Sequence, residues 1–203
     1  MNRGFAFHGA VLGLFCLGFG AVLAVTNRLT EADIAARATE DRQASLGQVI
    51  PDSIHDNDLL ADVVSIPAEP GREVTVYRAM EKGTVTGVAY EVSGTGYAGK
   101  IRMMLGVGAD GRVLGVRVLA HRETPGLGDK IEVKKSDWIQ RFAGLALGNP
   151  PVEKWQVKKD GGQFDQFTGA TITPRGVVAA IRDGLAFFSE HQTQLTEVRQ
   201  DVR

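Results

Sequence analysis

The sequence has a single cysteine, Cys16, and almost no excess charge of either sign. One cysteine excludes a disulfide within the chain, a Cys-x-x-Cys redox pair and a cysteine-ligated iron–sulfur cluster. The 23 Lys and Arg residues oppose 24 Asp and Glu residues, so nothing indicates a nucleic-acid-binding surface. The four histidines form no zinc-binding spacing, and we predict no metal site. Any redox chemistry therefore requires a bound molecule.

The beginning of the chain carries a long run without charged residues. Residues 4–25 contain no Asp, Glu, Lys or Arg. A helix of that length would span about 33 Å, against about 30 Å for the hydrocarbon core of a bilayer. The end of the run lacks an Ala-x-Ala cleavage site, and Leu14 and Phe15 before Cys16 do not suit a lipoprotein signal. A retained transmembrane anchor is favoured over a cleaved signal peptide.

The region after the anchor, residues 26–72, is predicted to be a juxtamembrane helix and linker. Thr30 followed by acidic residues is typical of a helix N-cap, and this helix is expected to run to about Gly47. Residues 51–70 show no clear periodicity. One basic residue on each side of the anchor decides little about its orientation, and we expect the following domain to lie outside the cytoplasm.

Residues 73–190 predict an α+β fold, an antiparallel sheet with packed helices. Segments rich in Val, Ile, Thr and Tyr, separated by glycines, predict strands at 74–77, 84–92, 100–107, 113–119 and 155–158. Helices are predicted over 136–147 and from Thr173, with Thr173 as N-cap, Pro174 at the first position and an apolar stripe beyond it. Residues 191–203 form a polar tail that is expected to fray.

Two segments contain residues suited to holding a ligand. Pro125 stiffens the loop 121–128, where Gly126 and Gly128 flank Leu127 and allow main-chain N–H groups to approach a large, flat molecule. Small residues at 168–171 leave the Thr171 hydroxyl unshielded, and the helix start that follows favours a phosphate. Taken separately, either segment is more typical of an ordinary turn or helix start.

Three segments in this order resemble the covalent-FMN-binding domain family. They are Gly94-Thr95-Gly96-Tyr97-Ala98-Gly99, Glu123-Thr124-Pro125-Gly126-Leu127-Gly128 and Asp165-x-x-Thr168-Gly169-Ala170-Thr171. The likeness covers roughly residues 85–190 and, by layout, the single anchor. The chain is most similar to the G-subunit family of the Rnf electron transport complex, with the C subunits of sodium-pumping NADH:quinone reductase as relatives.

The resemblance implies FMN joined to Thr171 by a phosphodiester bond. A flavin transferase would recognise the motif formed by Asp165, Thr168, Gly169 and Ala170. The further cofactor-binding residues are expected to be Glu123, Thr124, Gly126, Leu127, Gly128, Thr173 and Arg175. The implied role is electron relay with other membrane and redox subunits, ferredoxin- and NAD-linked and coupled to Na⁺ or H⁺ transport. The implied location is a bacterial inner membrane, with the FMN domain on the periplasmic side.

Some alternatives remain open from the residues alone. Trp138, Trp155 and Tyr97 could stack on the flavin ring, although each is more typical of a core position. Thr168 is a second acceptor hydroxyl. The chain could instead be a membrane-tethered, non-redox domain that binds a phosphate-bearing ligand reversibly or acts as a sensor, a regulator carrying the same flavin domain, or the related C subunit.

Overall fold

The computed structural model describes residues 3–69 and 72–197, and it divides into two compact units between Arg42 and Gln43. Helix α1 spans Arg3–Gly47 without a break. The predicted helix start at Thr30 is wrong, because no Gly or Pro interrupts residues 21–46 and the Thr30 hydroxyl instead donates to the Thr26 carbonyl at 2.9 Å. By length and composition, α1 is the one helix of the described residues that could cross a membrane.

A five-stranded antiparallel sheet forms the centre of the second unit, which confirms the predicted fold class. Its strands pair in the order of the sequence, and the turn at Asp110-Gly111, a dipeptide typical of hairpins, joins the fourth strand to the fifth. The strands are β1 Val63–Glu69, β2 Arg72–Glu81, β3 Thr84–Thr95, β4 Lys100–Gly108 and β5 Val113–Ala120. Strand β1 was not predicted, since its sequence has no regular alternation of polar and apolar residues.

Helix α2, Ile172–Thr196, packs on one face of this sheet. The predicted apolar stripe is buried there, and the buried Tyr90 hydroxyl donates to the Gly184 carbonyl at 2.8 Å. Burial raises the pKa of Tyr90 far above its usual value, so this hydroxyl stays protonated and donating. The chain was predicted to fray after His191, and this is wrong up to Thr196, because these residues belong to α2. Residues 198–203 of the predicted tail lie outside the described part of the chain.

The segment between the sheet and α2 contains short 3₁₀ helices, turns and isolated β-bridges. The predicted helix 136–147 is reduced to a 3₁₀ helix at Trp138–Phe142, and the predicted strand 155–158 is reduced to a single bridge between Val157 and Phe164. Gly144 and Gly148 adopt positive φ angles, which ends any longer helix. Trp138 and Trp155 are core residues as predicted, whereas the core prediction for Tyr97 is wrong because its side chain is 77% exposed.

The other face of the sheet is covered by the last turn of α1 and the residues that follow it. Leu46, Val49 and Ile50 are buried against this face. The chain crosses the sheet at Gly106 and Gly115, which are direct partners in the β4–β5 register. A Cβ atom on Gly106 would lie only 2.2 Å from the Val49 carbonyl oxygen, so the crossing requires glycine there.

Substitution of Gly106 tests this crossing. Gly106→Ala is expected to lower the free energy of unfolding by about 1–3 kcal/mol, because the added methyl group overlaps backbone atoms. Gly115→Ala should cost less, since its nearest contact would be 3.0 Å. Gly47→Ala is the control, because a Cβ there meets nothing within 4 Å. Urea unfolding of the full chain in detergent can be monitored by tryptophan emission. It should show Gly106→Ala as the least stable variant, then Gly115→Ala, then Gly47→Ala, and equal stability of the three variants would contradict this crossing.

Candidate functional site

Thr171 lies between a tight turn and the start of α2. The turn spans residues 167–170, with Gly169 at φ +82° and the Ala170 N–H donating to the Phe167 carbonyl at 3.1 Å. Thr171 is half-buried, and its hydroxyl makes no hydrogen bond within the described part of the chain. A hydroxyl that is partly accessible and not engaged elsewhere is suited to chemical modification.

Phe167 anchors this turn to the core. Its buried ring packs on Trp138, with the ring centroids 5.1 Å apart. The Trp138 indole N–H donates to the Asp165 carbonyl at 2.8 Å, which fixes the chain just before the turn. Thr168 and Gly169 are left exposed at the tip. The bulky residue inside the motif therefore has a structural role: it holds the small residues outward.

The Asp165 carboxylate is held by two cations. Lys158 Nζ lies 2.6 Å from Asp165 Oδ1, and Arg141 donates to Oδ2 at 3.1 Å. The hydrogen bond from Lys158 is the main reason that the pKa of Asp165 lies below its usual value, and Arg141 adds to the effect. Asp165 therefore stays ionised to a lower pH than an ordinary aspartate.

Asp165→Asn should reveal this interaction as a pH-dependent difference in stability. A carboxyl group whose pKa is lowered by folding stabilises the protein above its unfolded-state pKa, and loses that effect as the pH falls through the folded-state value. The variant should be less stable than the wild type at pH 7 by about 1 kcal/mol or less, because the pairs are partly exposed. Urea unfolding between pH 7 and pH 2 should show the difference disappearing at the acid end. A difference that persists unchanged there would contradict the assignment.

The start of α2 differs from its prediction by two residues. The helix begins at Ile172, Thr171 occupies the N-cap position, and no side chain caps the first turn. Thr173 is fully buried, and its hydroxyl donates to the Glu123 carboxylate instead of capping N–H groups. The N-cap role predicted for Thr173 is therefore wrong. An uncapped helix start next to Thr171 leaves N–H groups and the positive end of the helix dipole available to an anion.

Glu123 connects the three predicted segments. Its side chain accepts the N–H groups of Tyr97 at 3.3 Å and Ala98 at 2.9 Å, together with the Thr173 hydroxyl. The residue is only 5% exposed. It thus joins the β3–β4 hairpin tip to the start of α2 from within the protein. His121 supports it, since the Glu123 N–H donates to His121 Nδ1 at 3.1 Å.

The glycine-flanked loop lies beside the Thr171 turn. The Thr124 carbonyl accepts the N–H groups of Leu127 and Gly128, each at 3.1 Å, which closes the loop. A Cβ atom on Gly169 would lie 3.5 Å from Leu127 Cδ2, so the two turns are neighbours. Leu127 and Ile172, 42% and 43% exposed, add apolar surface around the acceptor hydroxyl. Thr124 and Gly126 are exposed, whereas Gly128 is buried beside Thr173.

Arg175 in the first turn of α2 is paired with Asp160. Its Nε and Nη2 atoms donate to the two carboxylate oxygens, both at 2.6 Å. This pair holds the pKa of Asp160 below its usual value. The described hydrogen bonds of Arg175 do not use Nη1. Arg175 therefore keeps a free donor edge close to the helix start, although its charge is already shared with Asp160.

Comparison with known proteins identifies two matching family models. Residues 96–186 match the FMN-binding domain, and residues 1–49 match the RnfG N-terminal region. The first match contains the glycine-flanked loop, the Thr171 turn and the start of α2. Within the described residues, no group of three or more His, Cys, Asp or Glu side chains could hold a metal ion.

Named relatives align over most of the chain. The G subunit of the ion-translocating oxidoreductase complex of Cereibacter sphaeroides is 51% identical over 187 residues, which cover 92% of this chain and 85% of the relative. The corresponding protein of Stutzerimonas stutzeri is 45% identical, covering 93% and 82%. Among solved structures, NqrC of Shewanella oneidensis aligns with 22% identity and a TM-score of 0.49, covering 72% of this chain and 73% of that chain.

Proposed function

The chain belongs to the G-subunit family of ion-translocating oxidoreductase complexes, and from that membership we propose that it relays electrons through FMN attached covalently to Thr171. The redox role and the FMN-binding domain follow from the family. The observation that carries the attachment site is the Thr171 hydroxyl, which lies next to an uncapped helix start and makes no hydrogen bond to any described residue, in a residue that is half-buried. The names of the relatives do not favour a non-redox sensor, a regulator or the C subunit of the quinone reductase.

The residues around Thr171 fit a flavin mononucleotide. The N–H groups and dipole of the α2 start suit its phosphate, and the Nη1 edge of Arg175 adds a hydrogen-bond donor nearby. The exposed side chains of Leu127 and Ile172 offer apolar surface to a flat ring system. When bound, FMN supplies the electron-transfer chemistry, since this sequence has one cysteine and no iron–sulfur ligand set.

The other predicted site residues divide into three roles in this proposal. Asp165, Thr168, Gly169 and Ala170 present the acceptor to a flavin transferase, and the turn geometry keeps Thr168 and Gly169 outward. Thr124, Gly126 and Gly128 shape the neighbouring loop. Glu123 and Thr173 are buried and bonded to one another, so they position the surrounding segments from within. An external transferase would form the phosphodiester from a flavin dinucleotide: the Thr171 oxygen bonds to the FMN phosphorus as the phosphoanhydride bond breaks and the second nucleotide leaves. The hydroxyl proton passes to the transferase, so no base in this chain is required.

The direction of electron flow, and the ion transport coupled to it, depend on the whole complex. We place the chain with other membrane and redox subunits, held by α1 in a bacterial inner membrane with its flavin domain on the periplasmic side. The assembly would link ferredoxin and NAD to Na⁺ or H⁺ transport. This chain by itself should show no pumping activity, because the described residues contain a single candidate membrane span.

Coexpression of the full chain with a flavin transferase tests the proposal. Denaturing gel electrophoresis should give a band at the mass of this chain that fluoresces under ultraviolet light, because a covalent flavin survives denaturation. The same chain expressed without the transferase is the control and should be dark. A dark band in both samples, with an intact mass equal to that of the polypeptide, would contradict covalent attachment.

A further inference from the structure

Tyr97 is the most exposed large apolar side chain among the described residues of the second unit. It is 77% exposed at the tip of the β3–β4 hairpin. The other two tyrosines, Tyr77 and Tyr90, are buried. Leaving an aromatic ring in water forgoes the favourable burial of its apolar surface. The exposed ring therefore has no role in the fold of this unit.

The hairpin tip that carries Tyr97 is held rigidly. Its N–H and that of Ala98 donate to Glu123, and the Gly96 N–H donates to the Gly99 carbonyl at 2.8 Å. A Cβ atom on Gly96 would lie 2.4 Å from Glu123 Oε1, so the backbone and the carboxylate are in close contact. Burying a carboxylate is costly unless its hydrogen bonds are satisfied. Here the hydrogen bonds to Glu123 fix the hairpin tip, whose Tyr97 side chain is exposed to water.

The same carboxylate places Tyr97 close to the Thr171 site. Glu123 Oε2 accepts both the Tyr97 N–H and the Thr173 hydroxyl, so the hairpin tip and the first turn of α2 meet at one atom. Thr173 is two residues from Thr171 along the chain. Leu127 lies beside the Gly169 turn that leads to Thr171. The exposed apolar side chains on these neighbouring segments, called the apolar rim below, are Tyr97, Leu127 and Ile172.

We propose that the Tyr97 ring packs against the flavin ring of the FMN carried by Thr171. The inference rests on the proposed function. The phosphate and ribityl chain give the flavin ring enough reach to leave the helix start and lie on the apolar rim. Stacking covers the apolar faces of both rings, and the rigid tip holds the phenol in place before the flavin arrives. Glu123 acts only through the backbone of this loop, as a positioning residue.

Flavin emission of the isolated holoprotein measures this contact. A phenol in contact with a flavin quenches its fluorescence by electron transfer, and a stacked ring gives the bound flavin a fixed, chiral environment. Tyr97→Ala should raise native emission several-fold and weaken the visible circular dichroism of the flavin. Tyr97→Phe should raise emission while keeping the dichroism, since the ring remains but the phenol is lost. Val152→Ala, at another exposed apolar position, should change neither signal.

The outcomes separate this inference from the attachment itself. Intact mass must first show the same FMN addition in the wild type and all three variants. If the wild type carries no flavin mass, the proposed function fails. If all proteins carry FMN but Tyr97→Ala has wild-type emission and dichroism, the stacking proposal is overturned. The stacking proposal is also overturned if Tyr97→Ala changes only assembly with other subunits, because the ring then contacts a partner and not the flavin.

Discussion

Replacing Thr171 by alanine is expected to abolish the covalent flavin completely. The attachment is assigned to this hydroxyl, so removing it leaves the transferase without an acceptor. The fold should be unaffected, within about 0.5 kcal/mol, because the hydroxyl makes no hydrogen bond within the described residues. Intact mass and in-gel fluorescence after coexpression with a transferase measure the loss, and urea unfolding checks the fold. Thr171→Ser, which keeps a hydroxyl, should restore labelling at least in part.

Matched variants make the Thr171 result specific. Thr168→Ala removes the exposed hydroxyl three residues earlier and alters the motif that the transferase recognises, so labelling should slow, but the flavin that is attached should remain on Thr171. Thr173→Ala removes a buried hydrogen bond to Glu123 and should lower stability by about 1–3 kcal/mol without removing the acceptor. A fluorescent Thr171→Ala protein, or a Thr168→Ala protein whose flavin lies on a residue other than Thr171, would contradict the assignment.

Glu123→Gln is expected to have the largest effect on stability, about 2–4 kcal/mol. The carboxylate accepts two backbone N–H groups and one hydroxyl in a buried position, and an amide can match only part of that pattern because its NH₂ group donates. The loss should also loosen the hairpin tip relative to α2. Hydrogen exchange of the Tyr97 and Ala98 amides should accelerate in this variant more than exchange elsewhere in the sheet.

Glu91→Gln provides the control for Glu123. Glu91 is paired with Arg102 at 2.7 Å but is partly exposed, so its loss should cost about 1 kcal/mol or less. Equal effects of the two substitutions would mean that Glu123 is an ordinary surface acid. In that case, Glu123 would have no role in joining the hairpin to the helix start.

The parts of the fold that could be predicted from the sequence depend on local patterns. The uncharged run at 4–25, the Asp110-Gly111 turn and the apolar stripe of α2 each follow from residues close together in the chain. A cofactor site that combines the glycine-flanked loop with Thr171 was expected only from the resemblance that the three segments carry together, and not from any one of them. The Phe167 position in the motif is explained only by its packing on Trp138, a tertiary contact.

The errors in prediction arose where tertiary contacts decide between local options. A Thr-Pro pair is typical of an N-cap and first helical position, but proline costs no hydrogen bond anywhere in the first turn, so α2 can begin two residues earlier. The Thr173 hydroxyl is then free to bond Glu123, fifty residues away in the chain. Tyrosine is a residue type that is often found in a core, and only the backbone contacts with Glu123 place Tyr97 at an exposed tip.

A peptide map of the flavinylated full chain tests the central claim most directly. After proteolysis, tandem mass spectrometry should locate the FMN mass addition on residue 171, within the peptide that contains the Phe167 turn and the start of α2. An addition on Thr168 or Thr173, or a peptide of unmodified mass in a chain that retains flavin only before denaturation, would contradict the assignment.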